Sequence, residues 1–264
     1  MRIDIITLFP GMFDGILSES IVGRAQKKGI IEIHKHNLRD FSGNKNRIID
    51  DKPFGGGSGM VIMAEPVLKA VEFIKKQAAK TGKTVKYLKP KVVFLSPQGK
   101  LLDHKTADAL SKEKHLILLC GHYEGFDERA MKAVDCEVSI GDYVLTGGEL
   151  PAMVLVDAVA RLVPGVVKEE SSVQRDSFVN GLLDYNHYTR PRALPLARAQ
   201  LKVPDVLFSG NHAEIEAWRK KDSLKNTLSK RPDLLKKVVL TETEKKYLEE
   251  IKKAVLKPQK RRLT

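Results

Sequence analysis

Leu116-Ile117-Leu118-Leu119-Cys120-Gly121-His122-Tyr123-Glu124-Gly125 decides how this chain is read. A short apolar run that ends in glycines reads as a buried strand followed by a loop at its carboxyl end. The same grammar recurs on both sides. Strands are expected at Arg2–Leu8, Ile30–His36, Val61–Met63, Lys91–Leu95, Leu116–Cys120 and Cys136–Ser139. Amphipathic helices are expected at Glu65–Lys80, His104–Lys112 and Asp127–Val134. Strands alternating with helices imply an α/β fold, with a mostly parallel sheet covered on both faces.

Composition narrows the class further. The chain has 264 residues, 42% hydrophobic and 30% charged, enough apolar material for a core and too much for a disordered tail or a fibrous repeat. No run approaches the roughly 18 apolar residues of a membrane-spanning helix, and Met1–Pro10 lacks the layout of a cleaved signal, so the expectation is a soluble cytoplasmic protein. Cys120 and Cys136 each sit in an apolar run and are read as buried, inert thiols. The net charge of +13 is concentrated: residues 219–264 hold 16 basic and 6 acidic side chains, and Lys75–Lys91 holds seven lysines and no acid. Such a face suits a polyanion such as nucleic acid. A solvated helical surface with a disordered tail at Lys257–Thr264 is the plainer reading of a charge run taken alone.

After Pro164 the pattern changes. Glu169–Gly181 (EESSVQRDSFVNG) is polar and without period, and the residues beyond it read as purely helical. The boundaries expected are a first domain over 1–167, a linker over 168–176 and an all-helical domain over 177–264. Asn211 followed by Glu214 marks a helix start, and Thr241 with Glu244 forms a capping box.

Ligands of parallel sheets bind outside the carboxyl ends of the strands. Three glycine-containing loops belong there: Leu95-Ser96-Pro97-Gln98-Gly99, Gly121–Gly125, and Ser139–Gly148 (SIGDYVLTGG). No G-x-G-x-x-G follows a strand and no G-x-x-x-x-G-K-[ST] occurs, so phosphate cradling is not their obvious purpose. From Cys136 to Ala160 the only charges are Glu137, Asp142, Glu149 and Asp157, a field that suits a positively charged ligand. On the apolar helix Leu150–Val163, Asp157 and Arg161 stand four apart. They can pair with each other, or Arg161 can present its fork to a ligand oxygen, and spacing leaves both readings open. Asp176 and Asp184, near the linker, are by residue type most often turn formers or caps.

Together with Gly55-Gly56-Gly57-Ser58-Gly59-Met60, Asp176-Ser177-Phe178, Tyr188-Thr189-Arg190-Pro191 and Ser209-Gly210-Asn211-His212, these loops resemble, in order and register from about Met1 to Trp218, the bacterial tRNA (guanine-N1)-methyltransferases (the TrmD family) of the SPOUT superfamily. The resemblance implies a sheet whose C-terminal part is tied in a deep trefoil knot, and an S-adenosylmethionine pocket. By position that pocket takes Leu95, Ser96, Pro97, Gly99, Tyr123, Glu124, Gly125, Ser139, Ile140, Gly141, Tyr143, Val144, Leu145, Gly147, Gly148 and Pro151. It also implies Asp176 as general base and Arg161 as its electrostatic partner, since guanine N1 carries a proton and charge builds on O6 during transfer. A homodimer with the active site across its interface is implied too, with magnesium dependence for which Glu124 is the candidate ligand. Gly57, Gly59, Asp184, Arg190, Asn211 and His212 would bind tRNA, the target being the guanosine immediately 3′ of the anticodon (position 37). Phe54, Asn46 and Asn186 replace the family's usual Tyr, His and Pro, and Gln77–Pro90 and Ala193–Lys202 look lengthened. Two other readings remain: a SPOUT enzyme acting on a ribose 2′-hydroxyl or on ribosomal RNA, and a non-catalytic RNA binder that kept the fold.

Overall fold

The computed structural model describes residues 1–81, 89–169, 174–196 and 199–260. The chain divides into two compact units, Met1–Glu170 and Ser171–Thr264. Residues 170–173 of the expected linker, and 82–88 of the lysine-rich stretch, lie outside the described residues.

The first unit runs β1 (Arg2–Thr7), α1 (Asp14–Ser18), α2 (Ser20–Lys27), β2 (Glu32–Asn37), β3 (Asp50–Asp51), β4 (Val61–Ile62), α3 (Ala64–Thr81), β5 (Lys91–Leu101), α4 (His104–Ser111), β6 (His115–Cys120), β7 (Cys136–Ser139) and α5 (Glu149–Ala160). Five strands form one sheet in the order β2-β1-β6-β5-β7, and every pair in it is parallel. Burial on both faces follows from the strand period of two. Ile3, Ile5, Val93, Leu95, Leu116 and Leu118 pack with Ala152, Leu155, Val156 and Val159 of α5. Ile6, Val92, Phe94, Ile117 and Leu119 pack with Val67, Ala70, Val71 and Ile74 of α3.

Several expectations need correction. Val61–Ile62 does form a strand, but it pairs antiparallel with Asp50–Asp51 in a separate ribbon. Asp127–Val134 is no amphipathic α-helix. Asp127 caps a 3₁₀ segment, Glu128–Ala133, whose bonds span three residues, as from Ala130 N–H to Asp127 C=O. The strand expected to end at Leu95 continues to Leu101, with a register break between Leu95 and Lys100. Helix α5 ends at Ala160, so Arg161 is its C-cap. Cys120 is buried but Cys136 is only partly so. Burial pushes both thiols up, in keeping with inert sulfurs.

In the second unit, β8 (Ala193–Leu196) and β9 (Ala199–Lys202) pair antiparallel, with Leu194 opposite Leu201, so this unit is not all-helical. The lengthened segment noted in the sequence is this ribbon. Three helices follow, α6 (His212–Lys230), α7 (Pro232–Leu235) and α8 (Glu242–Lys260). Asn211 caps α6 through Ala213 and Glu214 N–H, and Thr241 and Glu244 cap α8 reciprocally. Since α8 runs to Lys260, residues 257–260 are helical rather than a disordered tail, and 261–264 lie outside the described residues. Among the described residues, no helix is long and apolar enough to cross a membrane.

A buried polar cluster ties β1 to its two neighbours, β2 and β6. Asp4, wholly buried, accepts from His36 Nε2 (2.6 Å), His115 Nε2 (2.6 Å) and both Arg2 Nε (2.6 Å) and Nη2 (2.9 Å). Burial alone would raise its carboxyl, but the hydrogen bonds from His115, His36 and Arg2 and the Arg2 charge prevail and hold it well below the usual carboxylate range. Asp4→Asn is expected to cost about 3 kcal/mol at neutral pH, as removal of one partner of a buried pair does. A depressed folded-state value gives stability that is complete above the unfolded value of about 3.9 and is lost as the pH falls below it. The gap between wild-type and Asp4→Asn urea midpoints therefore narrows below pH 4, and a gap independent of pH would contradict this account.

Candidate functional site

At the carboxyl ends of β5, β6 and β7 the three glycine loops enclose one cleft of about 330 Å³, within the range of small-molecule sites. Of the residues assigned to the cofactor by resemblance, all but Gly99 line it. Phe94, Gln98, Gly121, His122, Phe126, Glu128, Met131, Glu137, Val138 and Thr146 line it as well. Some of these were visible as members of the quoted loops, but Phe126, Glu128 and Met131 arrive from the 3₁₀ segment and its approach, which no motif flagged.

Close backbone approach explains two of the glycines. A Cβ at Gly99 would lie 2.4 Å from Val138 N, because the chain after the Leu95–Lys100 break returns against β7. Its place is in the sheet beneath the cleft. A Cβ at Gly148 would lie 2.7 Å from Cys120 Cα, and Gly148 N–H donates to Gly121 C=O at 2.8 Å. The turn before α5 is thereby seated on the loop after β6. Tyr123 holds a positive φ of 58° at the tip of that loop, a conformation that costs a non-glycine residue energy and clusters at functional sites. Tyr123 and Tyr143 stand half-exposed on the rim, and the Tyr143 hydroxyl donates to Ile140 C=O.

The acid-rich stretch proves less uniform than expected. Glu137 lines the cleft, Asp142 and Asp157 are exposed away from its lining, and Glu149 is buried with its carboxyl bonded to Thr7 and His122. Glu124 is exposed on the cleft wall, and its N–H donates to Met60 C=O. That bond brings the glycine loop Gly55–Met60 to the cleft: a Cβ at Gly59 would fall 2.4 Å from Glu124 Oε1, whereas Gly57 has open space around it. Arg161 is exposed at the end of α5. Among the described residues no group of three His, Cys, Asp or Glu side chains is arranged to hold a metal ion.

The other residues singled out lie in the second unit. Asp176 is half-buried in a turn, its C=O accepting from Val179 N–H. Asp184 receives His187 Nε2 at 2.8 Å, and its own N–H donates to Ser177 Oγ. Asn226 Nδ2 bonds Asp184 C=O, fixing this segment to α6. Arg190 is exposed, and so are Asn211 and His212 at the start of α6. Around them stands an aromatic and basic surface that sequence reading missed: Tyr185 and Tyr188 meet Trp218 edge-on or tilted, Arg219 lies over Tyr185, and Arg192 lies 3.7 Å from the Phe208 ring centre. The spacing of these rings in sequence is irregular, so only folding groups them.

Comparison with known proteins gives a consistent result. The family described as tRNA (Guanine-1)-methyltransferase TrmD matches residues 1–237. Curated relatives include the tRNA (guanine-N(1)-)-methyltransferase of Dictyoglomus turgidum, 52% identical over 96% of this chain and 97% of that one. That of Anoxybacillus flavithermus is 50% identical over 96% and 99%. The Carboxydothermus hydrogenoformans protein of the same name is 53% identical over 93% and 91%.

Gly99→Ala and Gly148→Ala are each expected to destabilise the fold by about 1–3 kcal/mol, the usual cost of forcing extra atoms into packed backbone. Urea denaturation checks this, and an unchanged midpoint in either variant would contradict the close approach described.

Proposed function

The chain belongs to the tRNA (guanine-1)-methyltransferase TrmD family, and from that membership we propose how its residues carry the reaction. It is a tRNA (guanine-N1)-methyltransferase whose methyl donor is S-adenosylmethionine. The observation that carries the reading is the convergence of three glycine loops, far apart in sequence, on one cleft.

The cleft fits the donor. Leu95, Val138, Ile140 and Leu145 provide apolar walls, while the glycine loops offer backbone N–H and C=O groups at close range. When bound, S-adenosylmethionine supplies a methyl group already activated on a sulfonium sulfur. The rest of the work belongs to the protein. Asp176 takes the proton from guanine N1, turning a poor nucleophile into a good one. Arg161 places its guanidinium against the charge that develops on O6. The three glycine loops would hold the donor and so orient its methyl group for transfer. Magnesium commonly uses one or two carboxylates with substrate oxygens and water, and Glu124 is the carboxylate we assign to it. The trefoil knot implied for the C-terminal part of the sheet is in keeping with the double pairing of β5 with β7 and with the hydrogen bond from Gly148 to Gly121.

The target is the guanosine immediately 3′ of the anticodon. Gly57 and Gly59 lie beside it, and Asp184, Arg190, Asn211 and His212 grip the anticodon arm together with the basic helices of the 177–264 domain. A homodimer completes the site, with Asp176 supplied by the second copy. Support comes from apolar side chains that stand exposed on the first unit: Phe9, Met12, Ile16, Leu150 and Val154 are each about half exposed, and Val144 is 85% exposed. Large apolar side chains left open in this way are what an interface covers.

Labelled methyl is expected to pass from S-adenosylmethionine to a tRNA transcript with guanosine 3′ of the anticodon and not to one with adenosine there, appearing as 1-methylguanosine. Label recovered as a 2′-O-methyl nucleoside would favour the ribose-directed reading. Asp176→Asn and Arg161→Ala should each lower kcat by about 100-fold or more while cofactor affinity, read by calorimetry, stays within a few-fold. Val154→Glu should shift the protein to monomer in sedimentation and abolish turnover; a dimeric, active variant would remove Val154 from the interface.

A further inference from the structure

Glu149 is a buried acid that the reaction leaves unused. It is 1% exposed, at the first position of α5. Its Oε1 accepts from Thr7 Oγ1 at 2.5 Å and its Oε2 from His122 Nε2 at 2.6 Å. Thr7, wholly buried, also accepts the Phe9 N–H at 2.9 Å, and the Phe9 ring meets the His122 ring edge-on at 4.9 Å. A Cβ at Gly147 would lie 2.3 Å from His122 Cε1 and 2.6 Å from Glu149 Oε2, so the turn before α5 rests directly on this pair. One carboxyl therefore joins three segments that are remote in sequence: the end of β1, the loop after β6 and the turn into α5.

The cost of such a group argues against a purely space-filling purpose. A carboxyl taken out of water loses several kcal/mol of solvation, and an apolar residue of similar size would pack the same volume without that loss. What an apolar residue cannot do is fix direction. The bond from Thr7 holds the Glu149 carboxyl and the bond from His122 Nε2 to that carboxyl fixes the ring of His122, which lines the cleft, and so sets the Gly121–Gly125 loop against the Gly147–Gly148 turn. The approach to α5 gains as well, since an acid in the first turn is favoured by the helix dipole.

We propose that Glu149, acting through His122 and Thr7, is a positioning residue that holds the cofactor cleft preformed. Glu149 is sealed beneath the lining and touches no ligand itself; His122 transmits its effect. The proposal rests on the assignment of this cleft to S-adenosylmethionine.

The test uses the full-length protein, S-adenosylmethionine and a tRNA transcript. Glu149→Gln and His122→Asn should each weaken cofactor binding about tenfold or more, because displaced binding groups are costly even at small shifts. The KM for the cofactor should rise in parallel, with the KM for tRNA nearly unchanged. The Glu149→Gln/His122→Asn double variant should bind no worse than the weaker single one, since both remove the same link. Thr7→Val should shift cofactor affinity in the same direction by less, and if Glu149→Gln does not fold, Thr7→Val and His122→Asn carry the same test. Folded variants with lowered melting temperatures but wild-type cofactor affinity would overturn the proposal and leave the network a purely structural one. Additive effects in the double variant would overturn the shared link. Failure of the wild-type protein itself to bind S-adenosylmethionine would instead remove the cofactor assignment, and this proposal with it.

Discussion

The first unit depends on how closely backbone can approach backbone at the carboxyl edge of a parallel sheet. β5 pairs with β7 on both sides of the Leu95–Lys100 break, so that Val138 faces first Leu95 and then Lys100. That path exists because Gly99 offers no Cβ to meet Val138. The Ser96–Gly99 turn is thereby projected over the strand ends, and Leu102 N–H returns to Ser139 C=O at 2.7 Å. With both faces of the sheet covered by helices, this edge is where polar ligand chemistry can be assembled from several segments at once.

Polar groups are buried at two places in the same sheet, with different consequences. Within the strands Asp4 is surrounded by Arg2, His36 and His115, all donors to one carboxyl, and no glycine loop lies among them. Such a cluster joins β1, β2 and β6 and serves the fold. At the carboxyl end Glu149 joins segments that also line a cleft. The two clusters use the same physics, since a buried carboxyl must find donors for its oxygens, but only the second sits where its geometry is felt by a ligand.

In the second unit charge and aromatic surface occur together. Some lysines of α6 and α8 pair with nearby acids, as Lys221 with Glu250 and Lys252 with Glu249. Exposed pairs of this kind add little stability, and the segment keeps its excess of positive charge. Arg192 over Phe208 and Arg219 over Tyr185 add flat, cationic faces of the sort on which unpaired RNA bases stack.

The sequence by itself determined the strands of the sheet, the helices α3, α4 and α5, the caps at Asn211 and Thr241, and the three loops that line the cleft. These are local matters: a period of two or near four, a side-chain oxygen three residues from an N–H, a glycine at the end of an apolar run. Where local patterns were ambiguous the reading went astray. Asp127–Val134 has apolar spacing for a helix but settles into 3₁₀ turns under the Asp127 cap, and Ala193–Leu196 and Ala199–Lys202 pair as a ribbon inside a stretch that looked helical. Tertiary structure alone decided that Val61–Ile62 leaves the main sheet, that Gly99 packs against the backbone of Val138, and that Thr7, His122 and Glu149 meet. Thr7 and Glu149 are 142 residues apart. A hydrogen bond across that separation leaves no periodic trace in the chain, because its partners are brought together by the burial of other residues and not by their own spacing.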